Sequence, residues 1–139
     1  MRIYADSSAL IKRAVEEAGS DALDAYLDEH VAGGDVIVAS SLASVEVSRA
    51  LRALQDAVGG AIDEATEEAI ETALSGVGVR PITDDVISVA RRIAPPVLRT
   101  LDAIHLATAI LLDVDRVLTY DDRLADACRH HHLAPISPT

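Results

Sequence analysis

The sequence predicts a single α/β domain, a sandwich of helices about a mainly parallel sheet. Three observations carry that prediction. Short apolar runs (Arg2 to Ala5, Val36 to Val38, Arg116 to Thr119) alternate with longer stretches of helical periodicity. Ser, Asp, Gly and Pro mark the junctions between them. No repeat, linker or low-complexity tract divides the 139 residues, enough for one real hydrophobic core.

Arg2 to Ala5 reads as the first strand, and Asp6-Ser7-Ser8 as a helix start, because these side chains accept from free backbone N–H groups. Ala9-Leu10-Ile11 begins that helix, and a second runs from about Ser20 to Val31 until Gly33-Gly34 breaks it. Val36-Ile37-Val38 is a strand of buried type. Ser40-Ser41 caps the next helix, in which Val47, Leu51, Leu54 and Val58 recur at helical spacing. After Gly59-Gly60 comes an amphipathic helix carrying Ile62, Ala65, Ala69, Ala73 and Leu74. Gly76 and Gly78 are expected to end it, with a strand over Val79 to Ile82. Asp84 to Ile93 reads as a helix that Pro95-Pro96 stops. Leu101 to Leu112 is apolar on nearly every side, the mark of a central helix. A strand from Arg116 to Thr119, a helix from Asp121 to His130 and a short strand from Leu133 to Ile136 complete the chain.

Composition narrows the function. Without Phe or Trp, the core must be built from Ala, Val, Leu and Ile. No apolar run is long enough to span a bilayer and Met1-Arg2-Ile3-Tyr4 carries no targeting pattern, so the expected setting is the cytosol. A lone cysteine, Cys128, excludes an internal disulfide and reads as a packed thiol. The net charge of −11 argues against the simplest nucleic-acid-binding picture, in which a basic surface meets phosphate. Lys12 is the sole lysine, so any phosphate contact falls to arginines: Arg49 and Arg52 on one helix, or Arg91, Arg92 and Arg99 about the Pro95-Pro96 loop.

Four acids stand where the pattern is otherwise apolar: Asp6, Glu46, Asp102 and Asp121. Each has an ordinary explanation. Asp6 and Asp121 cap helices, and Asp102 sits in a first turn, behind Thr100 as cap, where the helix dipole favours an acid. Glu46, on a stripe with Leu42 and Ala50, needs a partner, for which Arg49 or Arg52 would serve. The alternative is a shared site, because Asp6 and Asp121 both follow strands and sites gather beyond the carboxyl ends of parallel strands. Converging carboxylates repel unless cations hold them, and carboxylate-held Mg²⁺ or Mn²⁺ is a standard means of attacking phosphodiesters. The acids at Asp63, Glu64, Glu67, Glu68 and Glu71 are spaced as a solvated helix face. His105, three residues beyond Asp102, reads first as a satisfied core histidine, and His130-His131-His132 as a solvated helix end.

Four segments together resemble a known family. Tyr4-Ala5-Asp6-Ser7-Ser8-Ala9-Leu10-Ile11-Lys12 is similar to the opening of PIN-domain proteins, specifically VapC-type toxins of toxin–antitoxin pairs. Ser40 to Val47, with Arg49-Ala50-Leu51 following, resembles the second acidic motif of that family. Leu101 to Ala109 resembles the third, and Thr119-Tyr120-Asp121-Asp122-Arg123-Leu124 the fourth. The motifs occur in family order across nearly the whole chain, which reads as a single PIN domain over 1–139. The resemblance implies a three-layer α/β/α sandwich and a Mg²⁺- or Mn²⁺-dependent endoribonuclease. It makes Asp6, Glu46, Asp102 and Asp121 the catalytic, metal-holding acids, with Ser8 and Thr119 as supporting hydroxyls. It further implies a homodimer silenced by an antitoxin whose C-terminal segment crosses the active site. Arg49 and Arg52 are the expected RNA contacts.

Two other readings compete. An aspartyl-phosphate enzyme would use Asp6 as nucleophile and needs a lysine at the site, a demand that Lys12 meets poorly from within the first helix. A non-catalytic PIN-fold module, acting through protein or RNA contacts, would bind no metal and tolerate loss of the acids.

Overall fold

Alternation along each strand builds two cores on opposite faces of one sheet. In the computed structural model, which describes residues 1–61 and 63–139, five strands lie parallel in the order β3-β2-β1-β4-β5. They are β1 (Arg2–Ala5), β2 (Val36–Ser40), β3 (Val77–Arg80), β4 (Arg116–Leu118) and β5 (Ala134–Ile136). Ile3, Ala5, Ile37, Ala39 and Leu118 point to one face, whereas Tyr4, Val38 and Val117 point to the other. The first face is covered by α1 (Ser7–Ala14), α2 (Ser20–Ala32), α3 (Ser41–Ala57) and α4 (Glu64–Leu74). The second is covered by α6 (Thr100–Leu111) and α7 (Asp122–His130), with α5 (Asp84–Ala90) packed on α6. The chain is thus a three-layer α/β/α sandwich.

Each fully buried Leu, Ile or Val contributes about 1.5–3 kcal/mol, and the buried set reaches every layer through Leu10, Leu23, Val47, Leu106 and Leu124. With no Phe or Trp available, Tyr4 is the largest fully buried side chain. Its hydroxyl must then find partners inside the protein.

Most elements lie where the sequence puts them, and the departures have local causes. β3 begins at Val77, two residues before the expected Val79, and takes in Gly78. As an edge strand it pairs with β2 alone, so Gly78 costs it little packing, and only Gly76, at φ 73°, performs the turn from α4. The helix expected over Asp84 to Ile93 stops at Ala90, three residues early, with Arg91 as its cap and the chain turning ahead of Pro95-Pro96. Thr100 does not cap α6; it is the first helical residue, and Arg99 occupies the cap with no side-chain hydrogen bond. The helix expected after Gly59-Gly60 starts only at Glu64, with Asp63 accepting from the Thr66 amide as its cap. Ile62 lies outside the described residues.

Strand order fixes where a site can form. From β1 the chain proceeds through β2 to β3 on one side, then returns to β4 and β5 on the other. Neighbouring β1 and β4 therefore send their following helices, α1 and α7, to opposite faces. A crevice opens between them at their carboxyl ends, the switch point where open α/β sheets bind ligands.

Candidate active site

Asp6 and Asp121 are the residues that follow β1 and β4 at this crevice. Asp6 caps α1 and is 3 % exposed, yet its carboxylate is fully engaged. Oδ1 accepts from the Ser8 hydroxyl at 2.6 Å and the Ala9 amide at 3.0 Å, and Oδ2 from the Thr119 hydroxyl at 2.5 Å. Thr119 Oγ1 in turn accepts from the Asp121 amide at 3.1 Å, and Ser8 Oγ from the Tyr120 amide at 2.9 Å. The two hydroxyls thus stitch the β1 and β4 exits together. Asp121 caps α7 through the Leu124 amide at 2.9 Å. Capping and site membership are compatible roles, because each carboxylate has more than one lone pair to offer.

The other two acids arrive from helices. Asp102 lies in the first turn of α6, and Glu46 is one and a half turns into α3. All four line one open cleft of about 410 Å³ with Ser7, Ser8, Arg99, Thr100 and Leu101. Glu46 is not paired with Arg49 or Arg52. Its Oε1 instead meets Nε2 of buried His105 at 2.5 Å, and His105 Nδ1 meets the Tyr4 hydroxyl at 2.6 Å. His105 is a satisfied core histidine, as expected, but its partner is a cleft acid.

The electrostatics are those of a crowded anionic site. Burial pushes the Asp6 carboxyl above the usual aspartate range, outweighing its three hydrogen bonds. Asp102 is also raised, first by burial, then by the neighbouring Asp121 charge, while Arg99 pulls the other way. A divalent cation would relieve both effects. Among the described residues, no three His, Cys, Asp or Glu side chains stand close enough to hold an ion by themselves. The donor chemistry nevertheless fits a hard cation: carboxylate and hydroxyl oxygens in an open cleft, for an ion that keeps several waters and takes one or two carboxylates directly.

Several sequence candidates lie elsewhere. Neither Arg49 nor Arg52 lines the cleft, and Arg52 is held by Glu67 at 2.5 Å and Ser48 at 3.2 Å. The cleft arginine is Arg99, which the sequence places only near the Pro95-Pro96 loop. Its signal was its position three residues before Asp102, one helical turn away. Lys12 binds Glu17 Oε1 and the Ala18 carbonyl, both at 2.9 Å, and is not in the cleft, which removes the lysine an aspartyl-phosphate enzyme needs. His131 donates from Nε2 to the Ala94 carbonyl at 2.6 Å, so it pins the end of α7 to the proline loop. Cys128 is buried in the α7 core, and burial pushes its thiol up to about 12.

A three-layer sandwich with acids from four elements at the switch point defines a class, and comparison with known proteins identifies it. The PIN domain family model matches residues 3–130, and the chain belongs to the PIN-domain family, within it to the VapC type. It is 42 % identical to Ribonuclease VapC46 of Mycobacterium tuberculosis, over 99 % of this chain and 98 % of that one. It is 33 % identical to Ribonuclease VapC47 of the same species, over 98 % and 96 %. Among solved structures, VapBC2 from Rickettsia felis bound to a promoter DNA fragment superposes with a TM-score of 0.77 at 12 % identity, covering all of both chains. VapC20 of M. tuberculosis, a Sarcin-Ricin loop cleaving toxin, gives 0.66 at 17 %, covering 90 % of this chain and 94 % of that one. At such identities these structures speak for the fold.

Proposed function

We propose that the chain is a metal-dependent endoribonuclease acting as the toxin of a toxin–antitoxin pair. The observation that carries this reading is the gathering of Asp6, Glu46, Asp102 and Asp121, from four separate elements, around one cleft in a VapC-type chain. Asp6, Asp102 and Asp121, with Glu46, would hold Mg²⁺ or Mn²⁺, which supplies positive charge against the scissile phosphate and acidifies water. Ser8 and Thr119 keep Asp6 in one orientation, so the anionic wall is formed before substrate arrives. Glu46 orients the attacking water and takes its proton. Arg99, exposed at the rim, offsets phosphate charge as the strand enters. In-line attack by water needs no 2′-hydroxyl, so the products carry 5′-phosphate and 3′-hydroxyl ends.

The rest of the strand has a path. A groove of about 530 Å³ between α5, α6 and the Pro95-Pro96 loop shares Thr100 with the cleft and is edged by Arg91 and Arg92. On a chain of net charge −11, this is where phosphates meet the least repulsion. Arg49 remains a candidate contact further along α3. The same acidity suits a homodimer silenced by an antitoxin whose C-terminal segment presents a basic residue to the cleft. A cytosolic setting agrees with the absence, among the described residues, of any helix long and apolar enough to cross a membrane.

The decisive experiment is cleavage of total RNA by purified protein, with Mg²⁺ or Mn²⁺ against chelator, and folded Asp102→Ala as control. Discrete fragments with 5′-phosphate ends, dependent on both metal and Asp102, are expected. Metal binding without cleavage of total RNA would call for testing purified tRNA, ribosomal and messenger RNA in turn. Neither metal binding nor cleavage would favour a binding module instead.

A further inference from the structure

We propose that Tyr4 and His105 form a fixed hydrogen-bonded relay that positions Glu46, with the Tyr4 hydroxyl donating to Nδ1 of His105 and Nε2 donating to the Glu46 carboxylate. The assignment follows from counting donors. The Ser40 amide can only donate, and it points at the Tyr4 hydroxyl oxygen at 3.3 Å. The phenol proton must therefore go to another acceptor, and His105 Nδ1 stands 2.6 Å away. With Nδ1 accepting, the ring proton lies on Nε2, which donates to Glu46 Oε1 at 2.5 Å. The reverse direction would leave the phenol proton without an acceptor at a residue of 0 % exposure. No buried side-chain nitrogen or oxygen lacks a partner among the described residues, so the chain of bonds closes.

The relay joins three acid-bearing elements. Tyr4 is in β1, two residues before Asp6, and Ser40 is the cap of α3, six residues before Glu46. His105 is on α6, three residues after Asp102. Its ring, 2 % exposed, meets the Tyr4 ring edge-on with centroids 5.9 Å apart. One oxygen of Glu46 is thereby committed, and Oε2, unbonded among the described residues, is left for the cleft. His105 and Tyr4 do not touch substrate; they are positioning residues. The consequence for turnover rests on the ribonuclease reading, whereas the proton placement does not.

Three measurements test this. Long-range nitrogen NMR of histidine-labelled wild-type protein in chelator reads the tautomer. The Nε2–H form is expected, and a proton on Nδ1 overturns the relay. His105→Ala is expected to lose about 10–100-fold in kcat, with KM for RNA nearly unchanged, as partners of metal-site carboxylates generally do. His105→Gln, whose amide can still donate to Glu46, should recover most of that loss, and Tyr4→Phe should fall between. Wild-type kcat in His105→Ala, or a loss that Gln does not relieve, reduces His105 to packing and overturns the proposal. Mn²⁺ titration of the same variants should show weaker binding in His105→Ala than in His105→Gln, and equal affinities count against the relay. A wild-type protein that binds Mn²⁺ but cleaves neither total RNA nor purified tRNA, ribosomal or messenger RNA contradicts the ribonuclease reading while leaving the NMR and Mn²⁺ tests of the relay intact.

Discussion

At the scale of single residues, the cleft acids trade stability for charge. Asp102 titrates above its ordinary value in the folded chain, so folding holds the protonated form more tightly than the unfolded chain does. The sign follows: its contribution is most favourable below the ordinary aspartate range and is lost as pH rises toward neutral. Asp102→Asn should therefore abolish cleavage while raising the thermal midpoint of metal-free protein near pH 7, with less effect near pH 4. Thermal denaturation in chelator at both values checks this, and a midpoint lowered at neutral pH would contradict it. Thr119 has the opposite character. Its hydroxyl, 0 % exposed, serves both Asp6 and the Asp121 amide. Thr119→Val strands a buried acceptor and a donor, and should destabilise by about 1–3 kcal/mol, read by denaturant unfolding. Neither effect is visible in the sequence, where Asp6 and Asp121 can each be read as a helix cap and Asp102 as a first-turn acid.

At the scale of elements, legibility depended on whether neighbours in sequence decided the outcome. β1, β2, α2 and α7 follow from local pattern, and the structure has them within about two residues. β3 starts earlier than its local pattern because it pairs with β2, and α5 ends three residues short of the expected Ile93. Glu46 needs a partner on its apolar stripe, but that partner is 59 residues away in sequence, beyond any helical spacing rule. Arg99 was hidden for a related reason: only the fold reveals that the unfavourable cap of α6 faces the cleft. That cap makes a prediction. An arginine at a helix N-terminus opposes the dipole and accepts from no amide, whereas its extended backbone, φ −61° and ψ 147°, suits a capping serine. Arg99→Ser should stabilise the protein by about 0.5–1 kcal/mol and raise KM for RNA. A gain in stability with a loss of affinity for RNA marks a residue kept for charge. A variant both less stable and unchanged in KM would return Arg99 to a structural role.

At the scale of the whole molecule, the proposed ribonuclease would have to bring an anionic polymer to an anionic cleft on an acidic chain. Carboxylates crowded at the switch point are tolerable only because Asp6 is tied down by hydrogen bonds and the others reach water. A bound divalent ion should therefore add stability, by mass action on the folded state alone. Chelator is expected to lower the thermal midpoint of wild-type protein and to leave Asp102→Asn little changed. RNA association must then rest on few cations. If Arg91, Arg92 and Arg99 carry it, three phosphates are neutralised, and for single-stranded RNA log affinity should fall with log salt at a slope of about −2. Arg91→Glu with Arg92→Glu should flatten that slope and weaken binding of unrelated RNAs alike, since phosphate contacts carry no sequence information. Fluorescence anisotropy across a salt series at fixed Mg²⁺ measures it. A slope near −6 would require a basic surface that a monomer of net charge −11 does not offer, and would turn attention to arginines contributed by a second copy of the chain.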